Sequence, residues 1–128
     1  MIEEYQKAVP EGSVDLTLDY DKHLFLARPH GAINPALVAE DLKRAHEFSE
    51  KCSDHWTYCT NTQDVKLVNP FNILFLKEVK KLKKLKEIVV FAPTLGNRLL
   101  LRLVSPIFRP DRIIKSRNEF NLFLQTVS

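Results

Sequence analysis

Hydrophobic and polar residues alternate from position 14: Val14, Leu16, Leu18 and Tyr20 are interleaved with Asp15, Thr17 and Asp19. A period of two places one set on each face of an extended chain, which predicts a half-buried strand. Asp21 and Lys22 supply a turn, and residues 23–28 continue as a second strand, so an antiparallel hairpin is expected. Residues 1–12 are polar and close on Pro10 and Gly12, the marks of a loose or strand-edge leader.

The period then changes. Pro29, His30 and Gly31 break the strand, and Asn34 followed by Pro35 is an N-cap with its first-turn proline. Leu37, Val38, Leu42, Ala45 and Phe48 fall in one arc of a 3.6-residue helix, with Glu40, Lys43, Glu47 and Glu50 on the other side. A surface helix packed on a sheet is therefore expected, ending near Cys52. Trp56, Thr57 and Tyr58 make 55–60 a short strand. The Asn-Pro device recurs at Asn69 and Pro70, after an apolar approach of Val65, Leu67 and Val68, and predicts a helix over 70–84. Residues 87–92 are a continuous apolar run, as in the buried centre of a parallel sheet.

Thr94 can cap a helix over 95–104, and Pro106 and Pro110 bracket a loop. Residues 112–115 read as a short strand. Ser116 and Glu119 form a capping box that opens a last helix with Phe120, Phe123 and Leu124 inward. The order β-β-α-β-α-β-α-β-α predicts an α/β fold in one domain over 1–128: a mostly parallel central sheet, an N-terminal antiparallel hairpin and about four helices.

Composition narrows the functional classes. Hydrophobic content is 45% and charged content 27%, both ordinary for a globular chain that buries a single core. The net charge of +3, from 19 basic and 16 acidic residues, is too balanced to make nucleic acid the expected partner. The opening residues, Met-Ile-Glu-Glu-Tyr-Gln-Lys, lack the apolar stretch of a secretory signal. No apolar run reaches the roughly 20 residues that span a bilayer, so a cytoplasmic setting is expected. Cys52 and Cys59 have no matching ligand pair, and His23, His30, His46 and His55 stand at no zinc spacing, so neither a metal nor a cofactor is expected.

Catalytic motifs are missing too. There is no nucleophile elbow, phosphate loop, dinucleotide fingerprint or His-Glu-x-x-His, and no catalytic residue is assigned. His55 and Cys59 would share a strand face, which leaves two readings: an activated thiol, or a buried cysteine beside a strand histidine.

The order of landmarks resembles the STAS domain, the family of bacterial anti-sigma-factor antagonists and of related modules in stressosomes and sulfate transporters. The resemblance covers residues 14–125. Gly31, Ala32, Ile33 and Asn34 stand where that family has a Gly-rich break after its hairpin. The family's central motif is an apolar approach, then Asp-Ser-Ser-Gly, then an apolar helix. Here the motif position reads Asn69, Pro70, Phe71 and Asn72, and the helix begins Ile73, Leu74, Phe75 and Leu76. Residues 88–92, Pro93, a Leu-rich helix and the loop residues Ile107 and Phe108 follow in the family's order. In the antagonists the first serine of the motif is the phosphoacceptor, and its phosphorylation blocks partner binding. That position is Pro70 here, and the next serine is Phe71, so the resemblance implies a divergent member without the phospho-switch, closer to the SEC14-like branch.

What remains is a binding surface. Ile73 and Leu76 point away from the arc of Phe71, Leu74, Phe75, Leu82 and Leu85, so the helix start offers either an exposed patch or a helix buried on both sides. The helix over 95–104 is apolar nearly all round, with Arg98 and Arg102 one turn apart. A protein partner or homodimer is expected at Asn69, Phe71, Asn72, Ile73 and Leu76, with Leu101, Val104 and Phe108 nearby. The lysine run, Lys77, Lys80 and Lys84 in particular, reads either as a solvated face or as an anionic contact. The alternative function is a carrier or sensor of an apolar ligand or lipid headgroup at a membrane surface.

Overall fold

The structure, a computed structural model, describes residues 1–66 and 70–127, with the side chains of Pro70 and Phe71 outside that set. It is an α/β fold built on a seven-stranded mixed sheet with four helices among the described residues. The strands are β1 (Ile2–Val9), β2 (Gly12–Asp19), β3 (Leu24–Gly31), β4 (Trp56–Asn61), β5 (Asp64–Val65), β6 (Leu85–Phe91) and β7 (Arg112–Ile114). The helices are α1 (Pro35–Lys51), α2 (Leu76–Val79), α3 (Leu95–Val104) and α4 (Arg117–Thr126), with a 3-10 segment over Pro70–Phe75.

The sheet runs β1-β2-β3-β4-β6-β7, and the short β5 also pairs with β3. The expected hairpin is β2 with β3, joined in register from Gly12 opposite Gly31 to Asp19 opposite Leu24. Of the two readings of residues 1–12, a loose or a strand-edge leader, residues 2–9 take the second: they form an edge strand, antiparallel to β2 along its whole length. Every later pairing, β3 with β4 and β5, β4 with β6 and β6 with β7, is parallel.

Strand periodicity divides the core between the two faces of the sheet. Leu16, Leu18, Phe25, Trp56, Tyr58 and Ile88 face α1 and α2 in the main core, where Leu37, Ala45, Phe48 and Val79 meet them. Leu24, Cys59, Val89, Phe91 and Ile114 face the other way and are covered by Phe120 and Phe123 of α4. The Phe91 and Phe120 rings stack at 4.2 Å. Aromatic packing also carries the first layer: Phe25 stacks on Tyr58 at 5.2 Å, and Phe48 meets Trp56 edge-on at the same distance.

Helix starts follow their caps. Asn34 Oδ1 accepts from Ala36 N and Leu37 N, Thr94 Oγ1 from Asn97 N, and Ser116 Oγ from Glu119 N. The long helix expected over 70–84 is not formed. A 3-10 segment and the four residues of α2 take its place, and residues 80–84 are a turn. Lys84 sits at φ 64, a left-handed conformation that ends the turn and lets β6 begin at Leu85.

Candidate docking surface and buried acid

Of the residues expected to bind a partner, Asn69 and the side chain of Phe71 lie outside the described residues, as does the side chain of Pro70 at the family's phosphoacceptor position. Asn72 is used internally: its Nδ2 donates to the Ile33 carbonyl at 2.8 Å, strapping the 3-10 segment to the loop before α1. Ile73, Leu101 and Val104 are buried with Val90 and Ala92, while Leu76 and Phe108 belong to the main core. These five are core residues rather than an exposed patch. The reason is the short, tight 3-10 path, which lays Ile73 and Leu76 against the sheet instead of raising one of them to solvent.

The lysine run is divided among structural contacts. Lys84 Nζ donates to the Cys52 carbonyl at 2.8 Å, satisfying the end of α1. Lys80 lies 3.5 Å from Asp111, Lys81 is 3.4 Å from Glu78, and Lys83 is 3.5 Å from Glu50. Lys77 is exposed and makes no ion pair among the described residues. Asp111 also accepts from the Ile88 amide at 2.7 Å, so the Lys80 contact belongs to a joint between β6 and the loop before β7.

The exposed apolar residues lie elsewhere on α3. Its inward face carries Leu101 and Val104, and its outward face carries Leu95, Leu99 and Leu103 at 66%, 48% and 70% exposure. Ile107, just beyond the helix, is 51% exposed. Leucines at i, i+4 and i+8 form one stripe along a helix. Beside the stripe runs an open groove of about 600 Å³ between α3 and β7, lined by Leu95, Leu99 and Ile113 and by four cations, Arg98, Arg102, Arg109 and Lys115. No carboxylate lines it.

Beneath the inward face lies a second feature. Asp41 sits on the buried stripe of α1 between Leu37 and Ala45 and is 5% exposed. Tyr58 Oη of β4 donates to Asp41 Oδ2 at 2.7 Å, and Oδ1 is buried with no hydrogen-bond partner among the described residues. Burial pushes the carboxyl up to about 7, although the Tyr58 hydrogen bond works in the opposite direction. The Tyr58 hydroxyl is held well above its usual range by burial and by the neighbouring carboxylate. Asp41 also lines a cavity of about 50 Å³, walled by Leu37, Ile73, Leu76, Val90 and Leu101 among others. The sequence reading passed over Asp41; its signal was an acid four residues from Leu37 and four from Ala45, inside the apolar arc.

Two other clusters resolve into structure. Cys59 is buried under α4 with its thiol pushed up by burial, whereas His55 is exposed and pairs with Asp54 at 3.1 Å, so the two are not brought together as nucleophile and base. Cys52 and Cys59 are both free. His30 bridges two carboxylates, Asp15 at 2.9 Å and Asp64 at 3.3 Å, and Arg28 holds Asp64 at 2.8 Å. This clamp fixes β5 in register beside β3. Among the described residues no group of three or more His, Cys, Asp or Glu side chains is arranged to hold a metal, and no helix is long and apolar enough to cross a membrane.

No family model matches this chain, and no curated protein matches it.

Proposed function

We propose that this chain is a non-enzymatic docking module of STAS-like type that settles on an anionic lipid surface through the outer face of α3. The observation that carries this reading is the stripe of Leu95, Leu99 and Leu103 beside a groove whose charged lining residues are all cations. Short apolar stripes bordered by arginines suit the boundary between acyl chains and headgroups, where the leucines bury and the arginine stems let their guanidinium groups stay at the phosphates. The resemblance in element order supports the absence of chemistry, and Pro70 in place of the family's serine leaves docking unswitched by phosphorylation at that position.

Both components carry weight. Full burial of a leucine is worth about 1.5–3 kcal/mol, and each arginine near an anionic surface adds about 1 kcal/mol. Immobilising the protein costs on the order of 4–15 kcal/mol. The leucines and the arginines act together against that cost, and the balance is a reversible attachment. A two-fold homodimer through this face is a weaker solution, because an isologous contact brings the same cationic patch of both copies together with no carboxylate in it to answer them.

Vesicle co-sedimentation tests the reading. The chain should pellet with vesicles containing phosphatidylglycerol and stay in solution with phosphatidylcholine alone. Indifference of the unmodified chain to the anionic vesicles, or full retention of binding by Leu99→Asp, rejects it. A doubled mass by light scattering that Leu99→Asp returns to monomer would assign the face to self-association instead.

A further inference from the structure

The long edge of the sheet raises a question separate from α3. β1 and β7 end the strand order, and β7 has only three residues, too few to template much pairing. β1 has eight, with no proline among them, and it follows β2 without a break in register. The Tyr20 amide donates to the Met1 carbonyl, so the odd-numbered residues of β1 form the hydrogen-bonded pairs with β2. The amides and carbonyls of Ile2, Glu4, Gln6 and Ala8 therefore point away from β2. Among the described residues no backbone group meets them, and all four residues are exposed. A row of open donors and acceptors of this kind is a template for another strand.

We propose that two copies of this chain join edge to edge through β1, antiparallel about a two-fold axis at Tyr5, so that the sheet continues from one copy into the other. Charge selects both the partner and the register. A two-fold axis normal to the sheet makes the joined strands antiparallel and keeps opposed side chains on one face. With Tyr5 opposite its own copy, Glu3 of each copy faces Lys7 of the other, Glu4 faces Gln6, and Ile2 faces Ala8. Lys7 is exposed and makes no ion pair among the described residues. Glu3 accepts from the Tyr20 hydroxyl at 3.0 Å, which leaves its carboxylate further acceptor sites. The neighbouring registers are worse. An axis at Glu4 sets that acid against its own copy, and an axis at Gln6 pairs Ile2 with Pro10, which has no amide to give. A lysine on an open edge ordinarily deters pairing. Here the same strand supplies the carboxylate that answers it, which favours a second copy over an arbitrary strand. Arg44, 3.7 Å from the centre of the Tyr5 ring, is already paired with Glu40 and Glu47, so the axis brings no uncompensated arginines together.

The inference does not rest on attachment to lipid, and its test leaves that reading untouched. Sedimentation equilibrium of the unmodified chain, from micromolar to millimolar concentration, should show a reversible rise in mass from one chain to two, as suits a small interface. Gln6→Pro removes an amide on the open side only, and an edge strand tolerates proline there. It should keep the far-ultraviolet circular dichroism of the unmodified chain and remain a monomer throughout. Lys7→Glu sets acid against acid at both symmetric pairs and should raise the dissociation constant by roughly two- to thirty-fold. Glu3→Lys combined with Lys7→Glu exchanges the charges and should restore association, a rescue that any other register would not give. Leu99→Asp should associate like the unmodified chain, which separates this edge from the outer face of α3. The proposal is overturned if the unmodified chain stays monomeric across the range, or if folded Gln6→Pro associates as before. It is equally overturned if the charge-exchanged variant is as weak as Lys7→Glu alone, or if Leu99→Asp abolishes the dimer.

Discussion

The Tyr58 hydroxyl donates to one oxygen of Asp41 at 2.7 Å, deep between α1 and β4, and the second oxygen of that carboxyl has no hydrogen-bond partner among the described residues. Tyr58 is therefore the single hydrogen bond that makes an acid tolerable on the buried stripe of α1. Tyr58→Phe keeps the ring stacked on Phe25 and deletes only the hydroxyl. It should lower stability by about 1–3 kcal/mol, the cost of leaving a second buried acceptor unpaired. Urea denaturation at pH 7 measures it, and an unchanged midpoint would mean the hydrogen bond is not formed.

The same acid sets a pH dependence whose sign is opposite to that of an ion-paired carboxylate. Its folded value is about 7, and the unfolded value is near 3.8. Between these limits the folded chain keeps a proton that the unfolded chain has released, so stability falls as pH rises. The contribution is complete below about pH 4 and is lost as pH rises through about 7, at up to about 1.4 kcal/mol per pH unit. Denaturation midpoints of the wild type minus those of Asp41→Asn, from pH 5 to pH 8, should decline across that window. A flat difference would place the acid in solvent.

Much of this architecture is legible in the residues, and the failures have physical causes. Asn34 with Pro35, Thr94, and Ser116 with Glu119 mark their helices because a capping side chain acts on amides two or three residues away, entirely within the local sequence. β1 is only half legible, as a leader either loose or at a strand edge, because an edge strand rests on little core: Tyr5 and Val9 pack inward, while Glu4 and Gln6 face solvent. The helix expected through Lys84 has helical spacing on paper, yet tertiary contacts cut it short. Leu82 and Leu85 turn into the core while Lys84 caps α1. The docking surface required knowing which side of an all-apolar helix meets the sheet. Leu95, Leu99 and Leu103 are chemically the same as Leu101, and only packing separates them.

That separation can be measured. Leu99 faces solvent, so Leu99→Asp should change thermal stability by no more than about 0.5 kcal/mol, while Leu101→Asp, on the opposite face, should unfold or severely weaken the chain. Replacing Arg98 and Arg102 with Glu should leave folding intact and abolish attachment to anionic vesicles. Attachment of the wild type should itself weaken as salt is raised from 50 to 300 mM, since exposed charges are screened over roughly a Debye length. Binding that persists at high salt in the double Glu variant would remove the arginines from the interface.

The far face of the sheet has one helix for cover, and this makes its cysteine a reporter. Phe120 stacks on Phe91, with Arg117 lying 5.1 Å from the centre of the Phe91 ring, and Cys59 is buried in the same cluster. Two effects silence the thiol: reagents cannot reach it, and burial raises its pKa so that little thiolate forms at neutral pH. Phe120→Ala removes a large core side chain, which costs about 3–5 kcal/mol in typical cores, and it loosens α4 before the rest of the sheet. Cys59 should then react with an aromatic disulfide reagent many times faster than in the wild type. Cys52, buried in the main core at the C-terminal cap of α1, should keep its slow rate, because its cover is untouched. Peptide-resolved mass spectrometry of the labelled chain separates the two. Parallel acceleration at both cysteines would mean that the variant unfolds globally and that α4 is not an independent cover.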